Sequence, residues 1–427
     1  MKFQFGLMTS VILGALLPAL ESRAIEVDGY SITSVGKIGV RHPGFLTLSE
    51  NSDGTHQLLI STFGLWGKDS VRVVDSVGDR LQSEESTSSS VLTDQVVWPN
   101  EIQEIGAEVF GHSGWIVSGG FLVPGKTHGA LTFIDRYTHQ VVPLTRKKKD
   151  FFYHRFQVVH WGEGGRPVIL TARAKKPIFG STEAELVMLT PKTPMIDFKN
   201  EKDGSAYFEE TVLSTSSVDV FFDARDLTGD GREELIAAEF FSKKLELFWW
   251  EGSQLQRRLI DSDVGALFDL RIADLNADGE LDLLVTDQKS GKYGSVYAYE
   301  IPRDLKSGAW TKHVLLDRIQ TRQGGIQSAS PGSPLVFYPS PHHLGKPWIL
   351  ISGDGSQRAH LLTPVSSEST NWSYRETIVL DSKSTIGSSA IADVDGDGNP
   401  EIFIPQYDGN QIDVLRIEPI QSRWDLR

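Results

Sequence analysis

Short apolar runs recur along the chain in pairs, each pair split by a polar turn. Residues 45–49 and 58–62 flank a polar stretch at 50–56, and residues 156–160 and 168–172 flank 162–167. Residues 334–338 and 348–352 flank His342-His343-Leu-Gly-Lys-Pro347, and a further pair reads as 108–110 and 115–118 around a glycine turn at 111–114. Runs this short, alternating or rich in β-branched residues and bounded by turn formers, predict strands rather than helices. Three more turns are acidic, and each leads into an apolar run, at 235–238, 283–285 or 402–404. The rhythm counts to seven units, centred near residues 50, 112, 163, 230, 278, 343 and 397. A polar stretch at 83–90 reads as a long exposed loop.

The acidic turns are Asp226-Leu-Thr-Gly-Asp-Gly-Arg-Glu-Glu234, Asp274-Leu-Asn-Ala-Asp-Gly-Glu-Leu-Asp282 and Asp393-Val-Asp-Gly-Asp-Gly-Asn-Pro-Glu401. Each sets oxygen side chains at loop positions 1, 3, 5 and 9 with Gly at position 6. Oxygen-bearing residues two apart in a tight loop aim at one centre, and the glycine permits the turn, so the pattern points to Ca²⁺. An EF-hand would need a carboxylate at position 12, where Ala237, Val285 and Ile404 stand.

These loops, each followed by a strand, resemble the FG-GAP/VCBS repeat, known from integrin α-chain propellers, fungal secreted propeller lectins and propeller polysaccharide lyases. The resemblance implies one four-stranded blade per repeat, with the Asp loop joining its first two strands. The calcium ligands it implies are Asp226, Thr228, Asp230 and Glu234; Asp274, Asn276, Asp278 and Asp282; and Asp393, Asp395, Asp397 and Glu401. The first two loops start 48 residues apart, at 226 and 274, about one blade; the third, at 393, leaves room for a degenerate blade between. Residues 25–427 are therefore expected to form a single closed all-β propeller of seven blades, the first and last strands sharing a blade. Up to three structural Ca²⁺ sites are expected.

Composition narrows the setting. Lys2 followed by an apolar stretch from Leu7 to Leu20, with Ser22 and Ala24 before a cleavage point, reads as a secretory signal over residues 1–24. No second apolar stretch is long enough to span a membrane, so a secreted, extracellular, monomeric protein is expected. A formal charge of −14 argues against a nucleic-acid surface, and Arg146-Lys-Lys-Lys149 reads as a solvated turn. With no cysteine, the ring must close without a disulfide. Asn371-Trp-Ser373 is an acceptor sequon for glycosylation at Asn371.

The resemblance also implies that residues just before a blade's first strand, or just after its second, gather on the central face opposite the Asp loops. His42, His154 and Arg155 stand before first strands, and Trp66, Lys126, His128, Arg173, Lys175, Arg358 and Tyr407 follow second strands. Rings and guanidinium forks of this kind suit an acidic sugar. Two functions follow: binding of an extracellular glycan or matrix component, or β-elimination on a uronate by a polysaccharide lyase. The lyase would use Arg155 or Arg173 to neutralise the carboxylate and His42, His128 or His154 to move protons. Neither a G-x-S-x-G elbow nor an H-E-x-x-H zinc motif is present.

Overall fold

The computed structural model describes residues 24–420 except 84–86, 124, 147, 178–180, 200, 290–291 and 323–329. Residues 1–23 of the expected 1–24 signal segment and part of the 83–90 loop therefore lie outside the described residues. Seven antiparallel sheets follow one another round a ring. Blades 1 to 6 each take four consecutive strands and span residues 43–93, 99–143, 152–215, 221–261, 266–320 and 334–381.

Blade 7 is built from both ends of the chain. Ala390–Ala392, Glu401–Gln406 and Gln411–Pro419 supply its inner three strands, and Tyr30–Gly39 adds the fourth, pairing from Tyr30↔Pro419 to Gly39↔Gln411. Ile25–Val27 lies outermost as a fifth strand. The inner strands of blades 1 and 7 also touch: Ser388 N donates to Gly44 O at 2.9 Å, and Leu46 N donates to Ser388 O at 3.1 Å. This is the expected closure, made without a covalent bond.

The second strand of each blade is its most buried. Gly114–Gly119, Glu234–Glu239, Trp348–Ile351 and Glu401–Gln406 are buried throughout. Such a strand is covered on both faces by neighbouring blades, so it reads as a continuous apolar run. Outer strands such as Gln254–Asp261 are partly exposed and blend with polar sequence. Seven hydrophobic clusters among the described residues fill the seven junctions between blades, from Leu59, Val71, Trp115 and Val117 between blades 1 and 2 to Ile38, Leu58, Phe403 and Val414 between 7 and 1.

Two elements depart from expectation. The first strand of blade 2 is Pro99–Ile105, whereas residues 108–110 form part of the turn that follows it. Val109 and Phe110 are apolar because that turn drops them into the core between blades 2 and 3. A short helix, Val77–Gln82, precedes the polar stretch at 83–90 and rests against the Asp loop of blade 7.

Candidate functional site

The two faces of the ring carry different chemistry. On one face the three Asp loops share a single geometry. The first Asp of each accepts main-chain N–H groups from within the loop: Asp226 from Gly229 and Gly231, Asp274 from Asp278 and Gly279, Asp393 from Gly396 and Gly398. The ninth residue reaches back to the second, with Glu234 accepting from Leu227 N, Asp282 from Leu275 N and Glu401 from Val394 N. Position 6 is left-handed in all three loops (Gly231 φ 85°, Gly279 φ 89°, Gly398 φ 87°), which explains its glycine.

Burial raises the ninth carboxylates. Asp282 is pushed up to about 7 by burial, and the Asp278, Asp274 and Glu300 carboxylates add to the shift against the Leu275 N–H. Glu234 rises for the same first reason, with Asp230 and Asp226 adding to it. In blade 7 one oxygen each from Asp393, Asp395 and Glu401 lies within 4.8 Å of the others. The all-oxygen donor sets of the loops fit a hard cation such as Ca²⁺ and not a thiophilic metal, and in blade 7 Arg416 also reaches Asp395 and Glu401. When bound, the ion would supply charge neutralisation and tie the loop.

On the opposite face a cavity of about 370 Å³ opens over the central channel. It is walled by aromatic rings at the junctions of blades 7, 1, 2 and 3. His42 stacks on Tyr407 with centroids 4.8 Å apart; Tyr407 meets Phe63 at 5.5 Å; Phe63 stacks on Trp98 at 4.6 Å, and Trp98 on Phe121 at 5.1 Å. Each of these rings stands just before a first strand or within two residues after a second strand.

Asp69 holds three of these segments together, because its carboxylate accepts from Gly64 N, Trp98 N and Lys126 Nζ. Trp98 and His42 both carry left-handed backbone (φ 46° and 47°), an arrangement a bulky side chain adopts only where its surroundings enforce it. Asn100, Asp354 and Asp408 supply polar groups to the cavity. In the loop that follows Phe63, Leu65 and Trp66 are exposed, Trp66 by 84%. The loop carrying them lies against His42 and Tyr407.

His154 lines this cavity and a deeper one of about 120 Å³ in the channel. Burial and then the charge of Arg155 hold its imidazole down to about 3, so it is neutral at physiological pH. Its Nδ1 is buried with no hydrogen-bond partner. Below it, Arg155 bridges Glu101 (3.0 Å) of blade 2 and Asp269 (2.5 Å) of blade 5, and Arg271 adds a second cation on Asp269 at 2.9 Å. Burial opposes the charge on Arg155, but Asp269, Glu101 and Asp223 outweigh it and keep the guanidinium protonated.

The candidates from the sequence separate accordingly. His154 and Tyr407 line the central cavity, His42 stacks on Tyr407, Trp66 lies in the adjoining loop that follows Phe63, and Arg155 lies beneath. Lys126 comes close but is spent on Asp69. Arg173 is 2% exposed between blades 2 and 3, where it pairs with Glu185 and Glu210 and donates to Tyr153 Oη. Lys175 pairs with Glu183 and Arg358 with Asp381, while His128 lines a separate groove. Asn371 accepts from Ser373 N through its own Oδ1.

Sequence reasoning missed Phe63, Trp98, Phe121, Asp69, Asp354 and Asp408. The signal for the rings was their equivalent placement at blade junctions, which a search for charged residues passes over. It also missed Glu239 and Glu246, two buried carboxylates in adjacent strands of blade 4 that share Lys244 at 3.7 and 3.5 Å. Burial first, then Glu246 and Asp219, push Glu239 up to about 8. A raised acid binds its proton more tightly in the folded chain. Stability should therefore fall as pH rises from about 4.5 to about 8, and Glu239→Gln should flatten that decline by about 1–3 kcal/mol. Urea unfolding across this range reads the effect, and parallel curves for both proteins would refute it.

Residues 226–285, which hold two of the Asp loops, match the family model described as an FG-GAP-like repeat. The chain is thus a seven-bladed β-propeller that carries FG-GAP-like repeats over residues 226–285. No curated protein matches it by sequence. Among solved structures, the BP39L lectin from Burkholderia pseudomallei superposes on this propeller with a TM-score of 0.52 at 9% identity, covering 90% of this chain and 98% of that one. The Dos1 propeller does so with a TM-score of 0.51 at 7% identity, covering 90% and 95%. At these identities the likeness is one of fold.

Proposed function

We propose that this propeller is a secreted, monomeric, calcium-binding protein that holds an extracellular glycan or matrix ligand on its central face. The observation that carries this reading is the aromatic wall around an open cavity of about 370 Å³, with the exposed Trp66 in the loop beside it. The volume lies within the roughly 300–1,000 Å³ of small-molecule sites, and rigid rings supply contact area at little entropic cost. Trp98 is sandwiched between Phe63 and Phe121 and so braces the wall, while the exposed Trp66 beside it has a free face for a sugar. A lectin among the structural neighbours is in keeping with such a use of the fold.

Binding is better supported than elimination. Arg155 is committed to Glu101 and Asp269, and Arg173 to Glu185 and Glu210, so neither guanidinium is offered to a substrate carboxylate. His154 is held neutral and is thus a poor proton donor near pH 7. The cavity itself receives Asp354 and Asp408, which favour a neutral or amine-bearing sugar over a uronate.

Trp66→Ala should weaken glycan binding about tenfold or more, with the melting temperature unchanged because the side chain packs on little. A glycan array followed by titration calorimetry with the best ligand tests this. Equal affinity in the variant would remove Trp66 from the site. Absorbance near 235 nm that rises on uronate polysaccharides and vanishes in His154→Ala would overturn the binding reading in favour of a lyase.

A further inference from the structure

The three Asp loops share a backbone but differ in what faces their ninth residue across the sheet. In blade 5 the register sets Asp282 opposite Glu300. In blade 7 it sets Glu401 opposite Arg416. In blade 4 the ladder ending at Leu235↔Phe248 runs on by one residue to Glu234 and Trp249. One structural position thus holds an indole, a carboxylate and a guanidinium.

Arg416 engages the third loop directly. Its Nε donates to Glu401 Oε1 at 2.6 Å, Nη2 donates to Asp395 Oδ2, and Nη1 lies 4.0 Å from Asp397 Oδ2. Three of the four residues expected to hold an ion there already face one cation. Among the described residues no Lys, Arg or His pairs with Asp226, Asp230, Glu234, Asp274, Asp278 or Asp282.

The third loop is also bound into the seam of the ring. Arg416 sits opposite Thr33 of the N-terminal strand. The helix Val77–Gln82 of blade 1 packs on the loop, Gln82 Nε2 donating to Asp395 Oδ2 at 3.3 Å. Gly78 approaches so closely that a Cβ there would lie 2.0 Å from Val394 O.

We propose that Arg416 is a built-in cation of the closing blade, standing in part where Ca²⁺ would stand, so that closure of the ring does not depend on calcium. This rests on the calcium reading of the Asp loops. Ca²⁺ draws six to eight oxygens to about 2.3–2.6 Å. In the third loop it must share those of Asp395 and Glu401 with a guanidinium and meet its repulsion at close range. The loops of blades 4 and 5 carry no such cation and need the metal. Glu300, whose Oε1 meets His313 Nε2 at 2.7 Å, stands opposite Asp282 and adds negative charge beside that loop, and affinity rises with such charge, so blade 5 holds its ion most tightly.

The test counts calcium on the full chain after chelation and dialysis, by elemental analysis and by calorimetric titration with CaCl₂. Wild type should bind about two ions, Arg416→Gln about three, and Arg416→Lys about two, since lysine keeps the charge. Glu300→Gln should weaken the tightest site about tenfold without changing the count. The melting temperature of Arg416→Gln should depend more steeply on calcium than that of wild type. If that variant needs calcium to fold at all, a cooperative melt regained on adding CaCl₂ carries the same meaning.

Three equal sites in wild type, or no ion gained in Arg416→Gln, would overturn the role given to Arg416 while leaving the calcium reading intact. A variant unfolded with and without calcium would show that metal and guanidinium are not interchangeable, which also overturns it. No ion bound by wild type at millimolar calcium would overturn the calcium reading itself, and this inference with it.

Discussion

Replacing Arg155 with Met is expected to cost about 3–5 kcal/mol of folding stability at pH 7. The guanidinium sits in the central channel, where it joins Glu101 of blade 2 to Asp269 of blade 5, with Asp223 of blade 4 close enough to share its field. Removing the cation leaves carboxylates in a site that water reaches poorly. Asp269 is 2% exposed and is held below the ordinary range, against its burial, chiefly by Arg155 and then Arg271.

The pH dependence gives the prediction a signature. In wild type the depressed Asp269 contributes stability above its unfolded pKa, and that contribution fades as pH falls. Without Arg155 the buried carboxyls of Asp269 and Glu101 should instead take up protons readily. The deficit should then be largest near neutrality and shrink toward pH 4. Urea unfolding of both proteins at several pH values measures it. A deficit below about 1 kcal/mol that does not change with pH would mean that the channel is wet enough to solvate these charges, and the network would then add little.

How legible all this was depended on whether a feature was local. The blade count was legible because each second strand is sandwiched between blades and therefore apolar throughout, as at Trp348–Ile351 and Glu401–Gln406. The Asp loops were legible because all their oxygens lie within nine residues. Blade 2 misled at residues 108–110, since Val109 and Phe110 are as apolar as a strand yet serve a turn, while the true strand Pro99–Ile105 alternates with polar residues.

Of the aromatic wall Tyr407 was named from the sequence, but Phe63, Trp98 and Phe121 were not, because the rings come from three blades and form no motif in the chain. Charge alone misdirected in the same way. Arg173 and Arg155 look available in sequence, and only the fold brings up Glu210 and, 114 residues away, Asp269 to neutralise them. Arg416 belongs to the same class: its role follows from a register that sets it against Glu401.

Starting the chain at Val40 should abolish cooperative folding. The strand Tyr30–Gly39 completes blade 7, and with Ile25–Val27 it buries Val27, Ile32 and Ile38, all at most 6% exposed. Burial of such side chains is worth about 1.5–3 kcal/mol each, so roughly 5–9 kcal/mol is lost before any hydrogen bond is counted. That is comparable with the whole stability of an ordinary domain, about 5–15 kcal/mol. The shortened chain would also expose Gln411–Pro419 as an unpaired edge, where further copies can pair. With no cysteine to staple the ring, no covalent link would compensate. The shortened protein should melt without a cooperative transition and aggregate, and a peptide of residues 24–40 added in trans should restore a sharp melt. A cooperative transition kept without that strand would show that the apolar seams between blades, with the Ser388–Gly44 contact, hold the ring by themselves.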